Sequence, residues 1–409
     1  MDTRTVEPRY DSGLKAGLRI AVVTETYPPE INGVAITSGR QVEGLLALGH
    51  RVQLIRPQQQ HDDQPIRNEA FSEILIRGLP IPRYPQLRLG LPAAGRLESL
   101  WRSDPPDAVQ VVTEGPLGWS AVTAARRLGL PVVSEFHTNF DAYSAHYGAG
   151  WLRQAVGGYL CHFHNRADLT LVPTRELQKT LLRAGYHGVE VVSRGVDCSL
   201  FNPGRRRPAL RTAWGVGADD LVVIHVGRLA PEKNLPLLMR AFDAITASRT
   251  SAKLLLVGDG PSRAQLEAQA RPNVVFAGMR RGEDLANHFA SADLFLYPSI
   301  TETFGNVTGE ALASGLPVVA YDYAAAALLV RDGHNGLHVR FDDGDAFVKA
   351  AVRASRAECL AHLRQRTAAS VSHLGWRTAV ERLVEKLHTA IARKRQHAKA
   401  HAKLDSAAH

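Results

Sequence analysis

Short runs rich in Val, Ile and Leu alternate along this chain with segments whose apolar residues recur three and four positions apart. The first half carries seven such runs, at 19–24, 50–56, 74–78, 108–113, 131–136, 169–173 and 189–193. The second half carries six, at 220–227, 253–258, 273–278, 294–298, 317–321 and 336–341. Strands that are apolar throughout, rather than at every second residue, are buried on both faces, and the helices between them supply the cover. The pattern predicts parallel sheets. Between the two sets stands Asn202-Pro203-Gly204-Arg205-Arg206-Arg207-Pro208, a linker by its prolines and glycine. The expected fold is α/β, with two doubly wound, Rossmann-like parallel-sheet domains facing a cleft, over residues 1–204 and 205–375. A C-terminal helix and basic tail occupy 376–409. The helical pattern over 375–395 groups Trp376, Val380, Leu383, Val384, Leu387 and Ile391, and leaves open which domain it covers. In such sheets ligands lie beyond the carboxyl ends of the strands, so the chemistry is sought there.

Composition supports two globular domains: 409 residues, 45% hydrophobic and 22% charged. The first 17 residues are polar and mixed in charge, without the apolar centre of a secretory leader. No stretch approaches the roughly 18 apolar residues that a spanning helix needs. Cys161, Cys198 and Cys359 lie far apart without ligand spacing, which fits a reduced, cytoplasmic location.

The net charge of +9 gathers late in the chain: residues 1–204 hold 21 Lys/Arg against 20 Asp/Glu, whereas 393–409 hold five against one. That tail has no aromatic residue, so it is no platform for nucleic acid. A solvated helix end and attraction to anionic lipid both account for it. Residues 77–102 set Arg77, Arg83, Arg88, Arg96 and Arg102 among Leu79, Ile81, Tyr84, Leu87, Leu89, Leu91, Leu97, Leu100 and Trp101. Cations with apolar anchors suit a membrane surface, and internal packing explains them equally. Pro80, Pro82, Pro85 and Pro92 predict a loop with short helical pieces.

The most informative stretch runs from Ser299 to Leu312. It follows an apolar strand and places Glu302 and Glu310 on either side of Phe304-Gly305-Asn306-Val307, where a helix begins. A helix N-terminus offers unpaired N–H groups to a phosphate, and carboxylates accept from hydroxyls. A phosphate between two sets of hydroxyls describes a sugar nucleotide. Arg228 and Lys233, after the strand ending at Gly227, add two cations suited to a diphosphate leaving group. Gly33 follows the first strand as a close-approach glycine, with a plain turn as the alternative. His137 and Asp141, after the fifth strand, are candidates for sugar or acceptor contacts; a satisfied core histidine is the plainer reading of His137.

Other motifs carry less. No G-x-G-x-x-G appears, which disfavours a dinucleotide oxidoreductase. The turn 257–261 is structural. Asp342-Asp343-Gly344-Asp345 precedes a helical run and reads as an N-cap, and His162 and His164 would point apart on a helix. No metal site and no cofactor is expected.

Together these residues resemble the family 4 glycosyltransferases, retaining enzymes of the GT-B architecture, from Arg19 to about Leu387. The E-x7-E pattern of Glu302 and Glu310 is the strongest element. Arg228 and Lys233 match the family's phosphate pair, Gly33 its glycine loop, and Gly195-Val196-Asp197 its inter-domain turn. Asn32-Gly33 departs from the two glycines of many relatives. Thr24-Glu25-Thr26-Tyr27-Pro28-Pro29, residues 79–85, Phe136-His137-Thr138-Asn139-Phe140 and His164-Asn165-Arg166-Ala167-Asp168 look most like bacterial GDP-mannose-dependent α-mannosyltransferases and glycolipid glycosyltransferases.

The resemblance implies metal-independent front-face transfer with retention, from a GDP- or UDP-sugar to a lipid or membrane-associated acceptor. Arg228, Lys233 and the helix start at Asn306-Val307 would stabilise the departing diphosphate. Glu302 and His137 would hold the sugar, Glu310 the ribose, and the backbone at Gly278-Met279 the base. The alternatives are transfer of glucose or a uronic acid, a soluble acceptor, an epimerase or phosphorylase on the same architecture, and a binding module without turnover. The implied location is cytoplasmic, with peripheral attachment to the inner face of the cell membrane left open.

Overall fold

The computed structural model describes residues 17–30, 32–60, 62–81, 84–137, 150–269 and 271–407. Asp141, the first sixteen residues, and Pro82 with Arg83 lie outside them. Along the chain come strands β1 (Arg19–Val23), β2 (Arg51–Pro57), β3 (Phe71–Ile76), β4 (Gly78–Ile81), β5 (Tyr84–Gly90), β6 (Ala108–Val111), β7 (Val132–Glu135), β8 (Leu169–Val172) and β9 (Val189–Val191). They are followed by β10 (Val222–Val226), β11 (Lys253–Val257), β12 (Val274–Gly278), β13 (Leu294–Tyr297), β14 (Val318–Tyr321) and β15 (Gly336–Val339). Two large sheets result, in the orders β3-β2-β1-β6-β7-β8-β9 and β12-β11-β10-β13-β14-β15. Within them the registered pairs are parallel, as in Arg19↔Arg51 between β1 and β2 and Val222↔Lys253 between β10 and β11. The two-sheet α/β fold expected from the apolar runs is the fold observed.

Alternation within the runs explains why they are apolar throughout. Val222, Ile224 and Val226 enter one core with Leu255, Val257, Phe295 and Tyr297. Their neighbours Leu221 and Val223 enter a second core with Leu254, Leu256, Leu294, Phe242 and Phe347. Each strand therefore feeds a core on both faces. Every second-sheet strand order places β10 beside β13, the point where the winding reverses. Segments leaving the carboxyl ends of those two strands are where a ligand is expected.

The segment 77–102 departs from the expected loop. β4 and β5 form an antiparallel hairpin, with Leu79 opposite Leu89, and the helix Ala94–Ser103 follows. The hairpin is a separate two-stranded sheet, so each strand has an open edge where a proline's missing N–H costs no ladder bond. Leu97 and Trp101 are buried by the helix, whereas Leu79 and Leu89 are exposed. Part of this segment is thus core, and part remains surface.

The chain divides into two compact units. Described residues within Met1–Glu30, Ser38–Val133 and Leu387–His409 form the first, and those within Ile31–Thr37 and Ser134–Lys386 form the second. The long helix Trp376–Ala407 contributes Val380 and Leu383 to the buried residues of the second unit and Leu387, Ala390 and Ile391 to those of the first.

In the first unit, Glu25 is buried just past β1. Its backbone N–H donates to Thr113 Oγ1, and its Oε1 accepts the Leu117 N–H at 2.8 Å, in the first turn of helix Pro116–Arg127. Burial pushes its carboxyl up to about 7, against the N–H groups of Leu117 and Gly118, which pull it down. In the second unit, Asp293, just before β13, gathers three guanidinium groups. Arg206 Nη2 and Arg211 Nη1 lie at 2.9 Å and Arg364 Nη1 at 3.0 Å, while the Val222 N–H donates to Oδ2 at 2.9 Å. Arg206 comes from the segment that reads as a linker and Arg211 from the helix Pro208–Ala213 that follows it, so at least one of the linker's charges is structural. Burial raises the Asp293 carboxyl, but the Val222 N–H, then Arg206 and Arg211, hold it below the usual carboxylate range.

Two outcomes follow. Asp293→Ala leaves three guanidinium groups without their carboxylate, and urea denaturation is expected to show a loss of about 3–5 kcal/mol. Glu25 binds its proton more tightly folded than unfolded. Its contribution is therefore complete below about 4.5 and declines as pH rises through about 7. Glu25→Gln is expected to flatten the fall in melting temperature between pH 5 and pH 8.

Candidate active site

The segments after β10 and β13 meet in the second unit. Gly227 to Asn234 leaves β10, and Lys233 stands in the short 3-10 turn Pro231–Lys233. Asn234 closes that turn in the left-handed region, at φ 51°, and redirects the chain into helix Leu235–Thr246. Gly258, after β11, lets the two loops approach: a side chain there would begin 1.9 Å from the Gly227 carbonyl oxygen. The segment after β13 runs Pro298 to Gly305 and enters helix Asn306–Ala313 through Gly305 at φ 90°.

Lys233 and Glu302 form an ion pair through Nζ and Oε1, with both side chains largely buried. The same carboxylate oxygen accepts from the Tyr297 hydroxyl and, at 2.9 Å, from Ser299 Oγ. Lys233 Nζ also reaches Tyr297 Oη at 3.3 Å and lies 5.5 Å from the centroid of that ring. The Glu302 backbone is clamped as well. Its N–H donates to the Tyr323 hydroxyl at 3.1 Å, which donates to its carbonyl at 2.5 Å. Burial, then Glu302, holds the Tyr297 phenol well above its usual range, so it stays a donor. Beneath it the fully buried His225 stacks on Tyr297 with centroids 5.7 Å apart. Burial lowers His225 to about 4, so it adds no positive charge beside Lys233 at neutral pH.

Arg228 is half exposed, and its Nη1 lies 3.8 Å from Glu232 Oε1, so both expected phosphate-binding cations are held by glutamates here. Gly278 ends β12 at φ 69°. Its carbonyl accepts from the Gly258 N–H at 2.9 Å, while Met279 is exposed. Phe304 is buried in the core, with Val307 packed beside it, and its carbonyl accepts from the Ala325 N–H. Glu310 is half-buried on the helix that Gly305 starts.

Gly33 opens helix Gly33–Ala47, but Asn32 caps that helix: its Oδ1 accepts from the N–H groups of Val34 at 3.1 Å and Ala35 at 2.8 Å. The asparagine at the place of a second glycine therefore occupies first-turn donors that an anion would use. His137 is joined to the Glu302–Asn306 segment through its carbonyl, which accepts from Thr303 Oγ1 at 2.8 Å. Its ring bonds to Glu135 and Arg194. Arg194 Nη1 also donates to Asn306 Oδ1 at 3.3 Å and lies 4.0 Å from where a side chain on Gly33 would begin.

Lys233 and Glu302 are paired, and Asn306, His137 and Gly33 are brought together around Arg194, with Thr303 Oγ1 linking the His137 carbonyl to the segment that carries Glu302. Arg194, Tyr297, Ser299 and Tyr323 are additions to the residues singled out above. Arg194 stands after β9 and just before the Gly195-Val196-Asp197 turn, where a charged residue past a strand end was a readable signal. Tyr297 lies within an apolar run and reads as core. Among the described residues no cluster of three or more His, Cys, Asp or Glu is arranged to hold a metal ion. The Asp343 carboxylate accepts from the Ala346 N–H, as an N-cap does. His164 is buried against Ser134 at 2.9 Å.

Similarity to known proteins extends over most of the chain. Residues 31–200 match the family described as Glycosyltransferase Family 4, and residues 220–357 match Glycosyl transferases group 1. A GDP-mannose-dependent alpha-mannosyltransferase of Mycobacterium tuberculosis is 36% identical over 329 residues, covering 78% of this chain and 83% of that protein. An alpha-monoglucosyldiacylglycerol synthase of Acholeplasma laidlawii is 29% identical over 353 residues, covering 81% and 87%. A sucrose-phosphate synthase structure from Thermosynechococcus elongatus superposes with a TM-score of 0.75 at 18% identity, covering 92% of this chain and all of that one, which supports the GT-B architecture. With a relative 36% identical over 78% of the chain, and with its family matches, the chain belongs to the family 4 glycosyltransferases, and it is a retaining, metal-independent enzyme that uses a sugar nucleotide.

Proposed function

We propose that this enzyme transfers mannose from GDP-mannose to a lipid or membrane-associated acceptor, with the donor held on the residue 205–375 part of the chain. The observation that carries this reading is the Lys233–Glu302 pair beside the start of helix Asn306–Ala313, at the reversal between β10 and β13. The choice of donor rests on the relatives named for GDP-mannose, and that of acceptor on the relative named for diacylglycerol.

The diphosphate lies along Arg228 and Lys233, with its charge toward the Asn306-Val307 helix start. As the anomeric bond breaks, negative charge grows on the leaving oxygen, and fixed cations stabilise that state more than the ground state. Lys233 trades part of its interaction with Glu302 for the phosphate, and Glu302, still held by Tyr297 and Ser299, accepts from a hydroxyl of the sugar. Glu310 accepts from the ribose hydroxyls, and the exposed backbone at Met279 meets the base. The acceptor attacks from the face the diphosphate leaves, and the leaving phosphate oxygen takes its proton, so configuration is retained without a separate general base.

Surface features support an acceptor at a membrane. Leu79 and Leu89 are exposed on the hairpin beside Arg77 and Arg88, and no helix of the described residues is long and apolar enough to cross a bilayer. A peripheral association suits this arrangement.

The direct test is a matrix of GDP- and UDP-sugars against lipid and soluble acceptors, read by mass spectrometry; mannosylated, organic-extractable product is expected from GDP-mannose. Product confined to the water phase overturns the acceptor, and turnover only with UDP-sugars overturns the donor. Glu302→Ala and Lys233→Ala are each expected to lower kcat by roughly a hundredfold, whereas Glu310→Ala raises donor KM. Glu302→Gln frees Lys233 from its competing carboxylate. Nucleoside diphosphate is then expected to bind roughly threefold to tenfold tighter by calorimetry, even as turnover falls.

A further inference from the structure

The two ring nitrogens of His137 are both engaged, by groups that dictate where its proton sits. A guanidinium only donates, so Nδ1 accepts from Arg194 Nη2 at 2.9 Å. Nε2 must then carry the proton, and it donates to Glu135 Oε2 at 2.9 Å. The other arm of the guanidinium, Nη1, donates to Asn306 Oδ1 at 3.3 Å, and its central carbon lies 5.6 Å from the Phe304 ring centroid. Burial lowers Arg194 to about 10, opposed by Glu135 and then Glu302, so it remains a cation at neutral pH. One side chain thus ties the segment after β7 to the first residue of helix Asn306–Ala313.

We propose that Arg194 is a positioning residue for the transfer reaction, fixing His137 as its neutral Nε2–H tautomer and, through Asn306, setting the first turn of the phosphate-facing helix against it. The proposal rests on the donor site described above. The two acceptors, His137 Nδ1 and Asn306 Oδ1, lie in different directions; a planar fork serves both, and a single ammonium of shorter reach serves one. With Nδ1 filled and Nε2–H given to Glu135, the His137 ring has no lone pair with which to take a proton from an acceptor hydroxyl. It therefore acts through its position and shape, consistent with proton transfer to the leaving phosphate. A displaced helix start would misplace the diphosphate's stabilising N–H groups, the kind of error that costs rate more than affinity.

The test pairs a spectrum with kinetics in the full chain. With 15N-labelled histidine, long-range 1H–15N correlation separates the two tautomers, and the His137 signals are those absent from His137→Asn. The wild-type ring is expected in the Nε2–H form, Arg194→Met is expected to lose that fixed pattern, and Arg194→Lys to retain it. In turnover, Arg194→Met is expected to lower kcat roughly tenfold to a hundredfold with nucleoside diphosphate affinity within about threefold of wild type. Arg194→Lys recovers part of that loss. Asn306→Ala, which keeps the histidine contact, is expected to keep the tautomer while lowering kcat. An Nδ1–H ring in the wild-type protein, an unchanged spectrum in Arg194→Met, or wild-type kcat in that variant overturns the proposal. A tenfold loss of diphosphate affinity at unchanged kcat also overturns it, because Arg194 would then be a direct phosphate ligand. The tautomer measurement needs no substrate, so its failure is separate from failure of the donor site, which appears as wild-type turnover in Lys233→Ala.

Discussion

The ion pair between Lys233 and Glu302 is the constraint around which the site is organised. It joins the loop after β10 to the loop after β13, the two strands at which the sheet reverses its winding. A largely buried pair pays for its desolvation only when the remaining polar valences are met. Tyr297 and Ser299 donate to the carboxylate, while Tyr323 holds the Glu302 backbone, which is why three hydroxyl-bearing residues crowd one glutamate. The buried and neutral His225 completes the arrangement by filling space under Tyr297 without adding charge.

This organisation gives the ligand-free site a definite electrostatic character. Each cation proposed to bind phosphate already faces a glutamate, Lys233 with Glu302 and Arg228 with Glu232. On the proposed reading, a diphosphate enters as a competitor for those cations, not as the first anion in an empty positive field. Some affinity is given up in exchange, and the cations gain orientation before the substrate arrives. Preorganised charge is what the departing phosphate requires, because reorientation during bond cleavage would add to the barrier.

The fold was legible because strands covered on both faces leave long apolar runs, and each of the thirteen runs became a strand. Glu302 and Lys233 were singled out because they lie in the segments leaving β13 and β10, where polar residues have no structural reason to interrupt an apolar run, and Gly33 because it follows the first strand. Tyr297 was hidden by the opposite effect: its ring belongs to the core while its hydroxyl serves the site, so it reads as apolar. Arg194 also follows a strand end, but what it does there was not legible, because its partners are 57 and 112 positions away. The hairpin of β4 and β5 was misread because prolines that forbid a helix are tolerated at the free edges of a two-stranded sheet.

The Asp293 cluster carries a consequence for modular engineering. Its arginines come from Arg206 and Arg211 upstream of β10 and from Arg364, on the helix Ala357–Arg364, so residues far apart in sequence close on one carboxylate. A chimera that grafts the part of the chain carrying β10 to β15 onto another protein must place its upstream junction before Arg206, although the first strand of that part begins at Val222. A junction drawn at the strand itself would sever two of the three counterions and leave the transplanted half carrying an uncompensated acid next to β13.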